Sequence, residues 1–315
     1  MKISIIIPTF NRATDLEETL LHIYKQKISR DNFEVIIVDN GPSSDNTEKI
    51  VLTYKEKYRN IVYIKTSKPG VTYARELGSV NANFNIHLQI DDDTSLVQED
   101  TLSLLISLFE NKEISALTGS EKVDWAIPER SKVQGIGRIT NYGIVNTNFS
   151  DAKFEEASKI EIDHARSCFL AYRSSVFKKI NGFDCYYDDL TSGMGFRGET
   201  DFCIKIKNIG AKIFLTKKIS YVHRGAMRPK RVIARNDKFK RMYYVYLTHS
   251  LFVLKNLKLN KLKWFFFQLL IGTRKVPGAA LIIKKRHNPL IFFFLLFSIF
   301  RILFITKLLA YKETK

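Results

Sequence analysis

Three consecutive carboxylates, Asp91-Asp92-Asp93, stand directly after the run Asn85-Ile86-His87-Leu88-Gln89-Ile90. Like charges on neighbouring residues repel, so this triplet needs compensating partners. If residues 85–90 are a strand that continues to 93, side-chain alternation points Asp91 and Asp93 to the same side, where one cation can meet both. Carboxylate oxygens and water suit a hard cation such as Mg²⁺ or Mn²⁺, which typically bridges to substrate phosphates. A structural reading stands beside this one. Ser95-Leu96-Val97-Gln98 spells a capping box, and acids are favoured just before a helix. One acid would be enough for that task.

Other side chains with chemical potential lie further along. Ser192-Gly193-Met194-Gly195-Phe196-Arg197-Gly198 is a glycine-rich stretch entering a helix, with Glu199 and Asp201 in its first turn. On propensity alone each acid is a candidate helix cap. Arg75 opens a short helix after the Pro69-Gly70 loop, where it is either a diphosphate contact or a surface arginine. His223 follows the strand-like stretch Ser220-Tyr221-Val222 and closes the module with Arg224-Gly225.

The elements that must position these groups alternate. Ile3–Ile7 is a β-branched run that fits a strand buried on both faces and ended by Pro8. Leu16, Leu20, Ile23 and Tyr24 recur at helical spacing from about Thr14 to Gln26. Phe33–Val38 is a second buried strand ending in the turn signal Asp39–Ser44, a helix runs from about Asn46 to Tyr58, and Ile61–Lys65 is a third strand. Further on, Leu96–Glu110 reads as a helix, Ile114–Gly119 and Ser167–Tyr172 as strands, Ser174–Ile180 as a helix, and Ala211–Leu215 and Ser220–Val222 as two strands. Residues 120–160, with a lone Trp125, lose periodicity and read as an irregular insertion facing the acceptor. The β-α-β-α-β order predicts a doubly wound α/β sheet, whose ligands bind at the carboxyl ends of the strands. Asp39 and Asp91–Asp93 both fall at such ends.

The ordered set Ile5-Ile6-Ile7-Pro8-Thr9-Phe10-Asn11-Arg12, Val38-Asp39-Asn40-Gly41, Gly70 with Ala74-Arg75, Asp91-Asp92-Asp93, Gly182-Phe183-Asp184, Gly198-Glu199-Thr200-Asp201 and His223 resembles family 2 glycosyltransferases of the GT-A fold. The resemblance covers roughly residues 1–225. It implies a Rossmann-like, mixed and mostly parallel sheet flanked by helices, and an inverting, metal-dependent transfer from a nucleotide-sugar. Pro8, Thr9, Asn11 and Asp39 match donor-binding positions, Asp39 on the base. Arg75 matches the residue near the base and diphosphate. Asp91 would meet the ribose and Asp93 the divalent metal, Mn²⁺ or Mg²⁺, with His223 completing the metal site. Asp92 falls on the donor side without a defined contact. Many members read Gly-Glu-Asp-x-Asp, whereas this chain has one residue fewer. Aligning Asp201-Phe202 with the family's trailing Asp-Leu puts Glu199 on the base position, and Asp201 is the fallback base.

The chain has 315 residues, 45% of them hydrophobic, enough for a substantial core. Cys168, Cys185 and Cys203 lack ligand spacing and are odd in number, so a reducing compartment is expected. The N-terminal apolar run is too short and too soon broken by proline for a signal h-region, which gives a cytoplasmic expectation. Charge is unevenly spread. Residues 1–225 balance, with 30 Lys/Arg and 30 Asp/Glu, while residues 226–315 hold 20 Lys/Arg against Asp237 and Glu313, so the whole net +18 lies there. Such a tail seeks a polyanion. Its apolar blocks, Trp264–Leu270 and Leu290–Phe300, are poor nucleic-acid readers, and Leu290–Phe300 is short of the ~20 residues of a span. Interfacial or re-entrant helices, one true span, and a helical cap packed on the catalytic part are the three readings. The first places the protein on the cytoplasmic, anionic face of a membrane.

The expected domains are therefore 1–225, catalytic, and 226–315, basic and membrane-associated. The expected partners are a nucleotide-sugar, UDP-linked in the first instance, and a saccharide or lipid-linked acceptor in cell-surface polysaccharide, glycolipid or glycoprotein glycan assembly. Two rivals remain: a non-catalytic sugar-nucleotide or polysaccharide binder on the same fold, suggested by the shortened acidic motif, and an aspartyl-phosphate phosphohydrolase using Asp91-x-Asp93-x-Ser95. The latter motif normally lies on a first strand.

Overall fold

The computed structural model describes residues 1–41, 43–122, 135–145, 159–225, 238–257, 261–272, 276–284, 292–293 and 296–301. Trp125, most of the expected acceptor-facing insertion and residues 290, 291, 294 and 295 of the Leu290–Phe300 run lie outside the described residues.

Nine strands form one sheet: β1 (Ile3–Thr9), β2 (Phe33–Asn40), β3 (Ile61–Thr66), β4 (Ile86–Ile90), β5 (Thr94–Leu96), β6 (Ile114–Lys122), β7 (Lys159–Ile162), β8 (Phe169–Arg173) and β9 (Lys212–His223). Their order is β3-β2-β1-β4-β8-β6-β9-β5, with β7 also paired to β9. Strands β3, β2, β1 and β4 are parallel, as are β6 and β9. Strand β8 runs antiparallel between β4 and β6, and β5 and β7 run antiparallel to β9. The helices are α1 (Ala13–Tyr24), α2 (Thr47–Lys57), α3 (Val71–Val80), α4 (Thr101–Leu108), α5 (Ser174–Lys179), α6 (Tyr186–Asp189), α7 (Gly198–Asn208), α8 (Lys238–Asn256), α9 (Lys261–Leu270) and α10 (Ala279–Lys284).

Alternation explains how β1 is buried on both faces. Ile3, Ile5 and Ile7 join the cluster that contains Leu16 and Leu20 of α1, Val51 of α2 and Leu102 of α4. Ile6 points the other way, with Ile36, Val38 and Ala74 of α3. Each such fully buried aliphatic side chain contributes about 1.5–3 kcal/mol. A further cluster holds Tyr172 of β8 with Phe183, Phe202 and Cys203, so α7 is seated on the same sheet.

Two expectations differ from the structure. The helix expected over Leu96–Glu110 starts only at Thr101, because Thr94–Leu96 pairs with β9. Leu96 is buried there opposite Tyr221, and the Ser95 hydroxyl accepts from Arg224 rather than capping a helix. Sheet pairing outweighs the local capping signal. The two strands expected over residues 211–222 are one continuous strand, β9, whose ladder with β6 absorbs two register shifts.

The basic C-terminal region packs on the rest. Tyr246, Leu247, Leu251 and Phe252 of α8 and Trp264 of α9 share a core with Tyr187 of α6 and Ile204 of α7. Among the described residues, no helix is long and apolar enough to cross a membrane.

Candidate active site

Strand β4 delivers the acidic triplet to the carboxyl edge of the sheet and stops at Ile90. Residues 91–93 then turn, with Thr94 N donating to the Asp91 carbonyl at 3.1 Å. Strand β5 starts immediately and pairs antiparallel with β9, which sets Thr94 opposite His223. Arg224 N donates to the Asp93 carbonyl at 2.9 Å. The ladder thus carries a histidine 130 residues distant in sequence onto the triplet. His223 Nε2 lies 3.2 Å from Asp93 Oδ1 and 3.6 Å from Asp91 Oδ2. One ligand atom from each of Asp91, Asp93 and His223 falls within 4.8 Å of the others. An imidazole nitrogen and two carboxylate oxygens converging at the edge of a cleft fit Mn²⁺ or Mg²⁺, which keep further positions for water and phosphate oxygens. Asp91, expected at the ribose, stands with Asp93 and His223 in this trio.

The repulsion within the triplet is met by two arginines. Arg75 Nη2 donates to Asp91 Oδ1 at 2.7 Å. The guanidinium of Arg12 forks, Nη1 to Asp92 Oδ1 and Nη2 to Asp93 Oδ2, both at 2.6 Å. Thr9 Oγ1 donates to Asp92 Oδ2 at 2.9 Å. Burial pushes Asp92 up to about 7, Arg12 offsetting only part of that while Asp93 and Asp91 add to it. Burial acts on Asp93 in the same sense, but there the bonds from His223 and Arg12 outweigh it and hold the carboxyl well below its usual range. The Asp93 bond in turn raises His223.

Arg12 carries no role in the sequence reading. It was visible only as the end of the Pro8–Arg12 stretch, and its function depends on a contact across 80 residues.

The triplet opens on a cleft of about 340 Å³. Of the sequence-derived site residues, Pro8, Thr9, Arg75, Asp91, Asp92, Glu199 and His223 line it. Asp93 does not, although it lies within ligand reach of Asp91 and His223, and neither do Asp39 and Asn11. The carboxylate of Asp39 is fully buried and accepts from Ser43 N at 3.0 Å, Ser43 Oγ at 2.8 Å and Tyr63 Oη at 2.8 Å. Asn11 N donates to Ser43 Oγ at 2.7 Å, and Asn11 Oδ1 accepts from Ser44 N at 2.6 Å. Both residues stitch the loops after β1 and β2 together. Asn40, one residue past Asp39, reaches the cleft and donates to Gly70 O at 2.6 Å. Gly70 has φ +140°, and a Cβ there would stand 2.3 Å from Asp188 Oδ2, so only glycine fits this wall. Asp188 also accepts from Tyr73 N at 2.8 Å.

Packed against this wall, Arg197 takes the left-handed conformation (φ 79°) just before α7, and Glu199 in the first turn lines the cleft. Arg197 Nη2 donates to Gly143 O at 2.8 Å and to His249 Nδ1 of α8 at 3.2 Å. Glu199 makes no helix cap. Its Oε2 accepts from the backbone N and the hydroxyl of Ser167, and among the described residues Oε1 accepts no hydrogen bond. Burial favours the neutral form of Glu199, but His164, Arg75 and the Ser167 bonds prevail and bring it down to about 2, so the carboxylate is ionised. A single ionised carboxylate with an open oxygen beside a metal-type trio can accept a proton from a bound hydroxyl.

Asp201 is not at the cleft. It is fully buried, and its Oδ1 accepts from Lys255 Nζ at 2.9 Å, Asn256 Nδ2 at 2.7 Å and Tyr187 Oη at 3.0 Å. Lys255 also reaches Asp184 at 2.6 Å. Asp201 therefore fastens α8 to α7. Asp201→Ala leaves three donors without their acceptor and is expected to cost about 2–3 kcal/mol, since Lys255 keeps Asp184 and partial access to water. The midpoint of urea unfolding checks this. Turnover at saturating substrate, measured well below that midpoint, should fall by no more than about threefold, whereas the loss of a catalytic base removes about 10²-fold or more.

Comparison with known proteins agrees with this architecture. The family model "Glycosyl transferase family 2" matches residues 4–180. The minor teichoic acid biosynthesis protein GgaB of Bacillus subtilis (strain 168) is 35% identical over 108 residues, which is 34% of this chain and 12% of that protein. The chain thus spans a small part of that relative. Among solved structures, the mannosyltransferase PcManGT from Pyrobaculum calidifontis in complex with GDP-Man and Mn²⁺ superposes with a TM-score of 0.60 at 18% identity, covering 90% of this chain and 74% of that one. TarS 1-349 from S. aureus in complex with UDP-GlcNAc gives 0.55 at 19% identity, covering 84% and 69%.

Proposed function

The chain belongs to glycosyl transferase family 2, and we propose that it transfers a sugar from a nucleotide-diphosphate donor to a hydroxyl of a saccharide or lipid-linked acceptor, in the assembly of a cell-surface glycan. The observation that carries this reading is the convergence of Asp91, His223, Arg75 and the ionised Glu199 on one cleft, with Asp93 in ligand reach of the first two. The similarity to GgaB supports the cell-surface setting. The nucleotide-sugars bound in the PcManGT and TarS structures support the donor class, and we take a UDP-sugar as the donor.

In this mechanism Pro8, Thr9 and Asn40 bound the nucleoside side of the cleft, while Asp39, through Ser43 and Tyr63, braces its base end. Asp91, Asp93 and His223 would hold a divalent cation, which would supply charge neutralisation for the departing diphosphate. Arg75 adds a fixed positive charge beside Asp91. Glu199 takes the acceptor proton as the acceptor oxygen bonds to the anomeric carbon. The carbon–oxygen bond to the diphosphate breaks, its electron pair leaves with the phosphate, and the configuration inverts in one displacement. Hydrolytic glycosidases need two carboxylates flanking the bond because their leaving group must be protonated; here one suffices. Screening UDP-, GDP- and dTDP-sugars for thermal stabilisation, with and without Mn²⁺, tests the reading. Stabilisation by no nucleotide-sugar in the presence of metal would overturn it.

The region after residue 225 is, in this proposal, the seat on an anionic membrane surface at the cytoplasmic face. Leu262, Phe266 and Leu270 form an i, i+4, i+8 stripe on α9 that is 65%, 49% and 54% exposed, whereas Trp264 and Gln268 face inward. Ile283, Phe293, Phe297 and Phe300 are exposed as well. Apolar stripes beside a strong positive excess suit a helix lying in the headgroup layer. Replacing Leu262 and Leu270 by Ser and Phe266 by Asp together is expected to weaken sedimentation with phosphatidylglycerol vesicles about 10²-fold or more. Unchanged sedimentation would remove the stripe from the binding face.

A further inference from the structure

Asp93 has two oxygens, and the structure gives them different partners. Oδ2 receives Arg12 Nη2 at 2.6 Å, while Oδ1 faces His223 Nε2 at 3.2 Å. The same guanidinium holds Asp92 Oδ1 through Nη1 and reaches Asp15 from Nε at 3.4 Å. Three acidic partners and a side chain only 10% exposed leave the fork little freedom. Arg12 itself is aimed by the turn at Asn11, whose φ of 49° and bonds to Ser43 and Ser44 fix the chain just before it. A planar fork of this kind sets the rotation of both carboxylates it grips.

We propose that Arg12 is a positioning residue that fixes Asp93 as a one-oxygen ligand and thereby makes the cation site discriminate against Ca²⁺. The inference rests on the metal reading of Asp91, Asp93 and His223 given above. Ca²⁺ takes six to eight oxygens and readily accepts both oxygens of a carboxylate, whereas Mg²⁺ and Mn²⁺ suit fewer, shorter bonds in near-octahedral arrangement. With Oδ2 committed to Arg12, the two-oxygen mode of Asp93 is closed and the larger ion loses its advantage. A charge effect alone would act on both dications alike. The ratio of their affinities therefore isolates geometry from charge.

Titration of Mn²⁺ into the full-length protein, followed by the electron paramagnetic resonance signal of the free ion and then by displacement with Ca²⁺, measures that ratio in wild type, Arg12→Lys and Arg12→Gln. The expected result is a fall of about tenfold in the preference for Mn²⁺ over Ca²⁺ in Arg12→Gln. Arg12→Lys keeps the charge but not the fork, and is expected to show a fall of the same sense. Circular dichroism of both variants establishes that they are folded, and the lysine variant carries the test should the glutamine variant fail to fold. An unchanged ratio in a folded variant that still binds Mn²⁺ overturns the positioning role and leaves the metal reading standing. Failure of the wild-type protein to bind Mn²⁺ at all overturns both.

Discussion

Glu199→Gln is expected to lower kcat by about 10²–10⁴-fold while leaving the dissociation constant of the donor within about twofold. The substitution keeps the size of the side chain and one oxygen for the two Ser167 donors, but removes the charge that accepts a proton. The proposed donor contacts, Arg75 and the Asp91–Asp93–His223 trio, keep their own partners when Glu199 loses its charge, so donor binding should change little. Isothermal titration with the nucleotide-sugar and single-turnover transfer measure the two quantities separately. A variant that transfers at the wild-type rate would sink the assignment, and one that loses donor binding would move Glu199 to the donor side. The pH dependence follows from the same environment. The folded carboxyl titrates near 2, below its ordinary 4.5. Its contribution to folding stability is therefore present above about pH 4.5 and is lost as the pH falls towards 2. In the free enzyme Glu199 should give kcat/KM no acidic limb between pH 5 and 7.

Asp93→Ala is expected to produce the second large effect, a loss of about 10³-fold in transfer together with loss of the Mn²⁺-dependent part of thermal stabilisation by nucleotide-sugar. Asp93 is held on both oxygens, Oδ2 receiving Arg12 and Oδ1 standing 3.2 Å from His223. Its removal takes away a ligand and leaves the Arg12 fork with Asp92 and Asp15 alone. The fold should survive, because Arg12 keeps two acidic partners. Retention of metal-dependent transfer would place the cation on other residues.

The layers of the fold were legible in the sequence wherever a local pattern coincided with a global one. Ile3–Ile7, Phe33–Val38 and the helix around Leu16 and Leu20 are such places, since a parallel strand buried on both faces and an amphipathic helix each leave their own period. The acidic triplet and Glu199 were also legible, because acids at strand ends and after a glycine-rich turn are unusual enough to notice. What remained hidden depends on pairing across the sheet. Thr94–Leu96 carries a capping signal that its ladder with β9 overrides, and that ladder is what brings His223 to Asp93. Asp39 has the type and position of a ligand-binding acid, yet its neighbours Ser43 and Tyr63 supply enough donors to occupy it from within. Arg12 and Lys255 were unreadable for the same reason: a cation's partner is chosen in three dimensions, and here the partners lie 80 and 54 residues away.

The fastening of α8 onto Asp201 has a mechanical consequence. Lys255 and Asn256 clasp the helix that begins one residue before Glu199, and His249 receives the arginine that caps it. Whatever surface seats the C-terminal helices therefore also sets the pose of the cleft above it. The base would ride at one height over that surface, with its mouth facing one way, so that an acceptor is chosen partly by how far its hydroxyl stands from its own anchor. On the proposed membrane seat, the tail would serve as a ruler as well as an attachment.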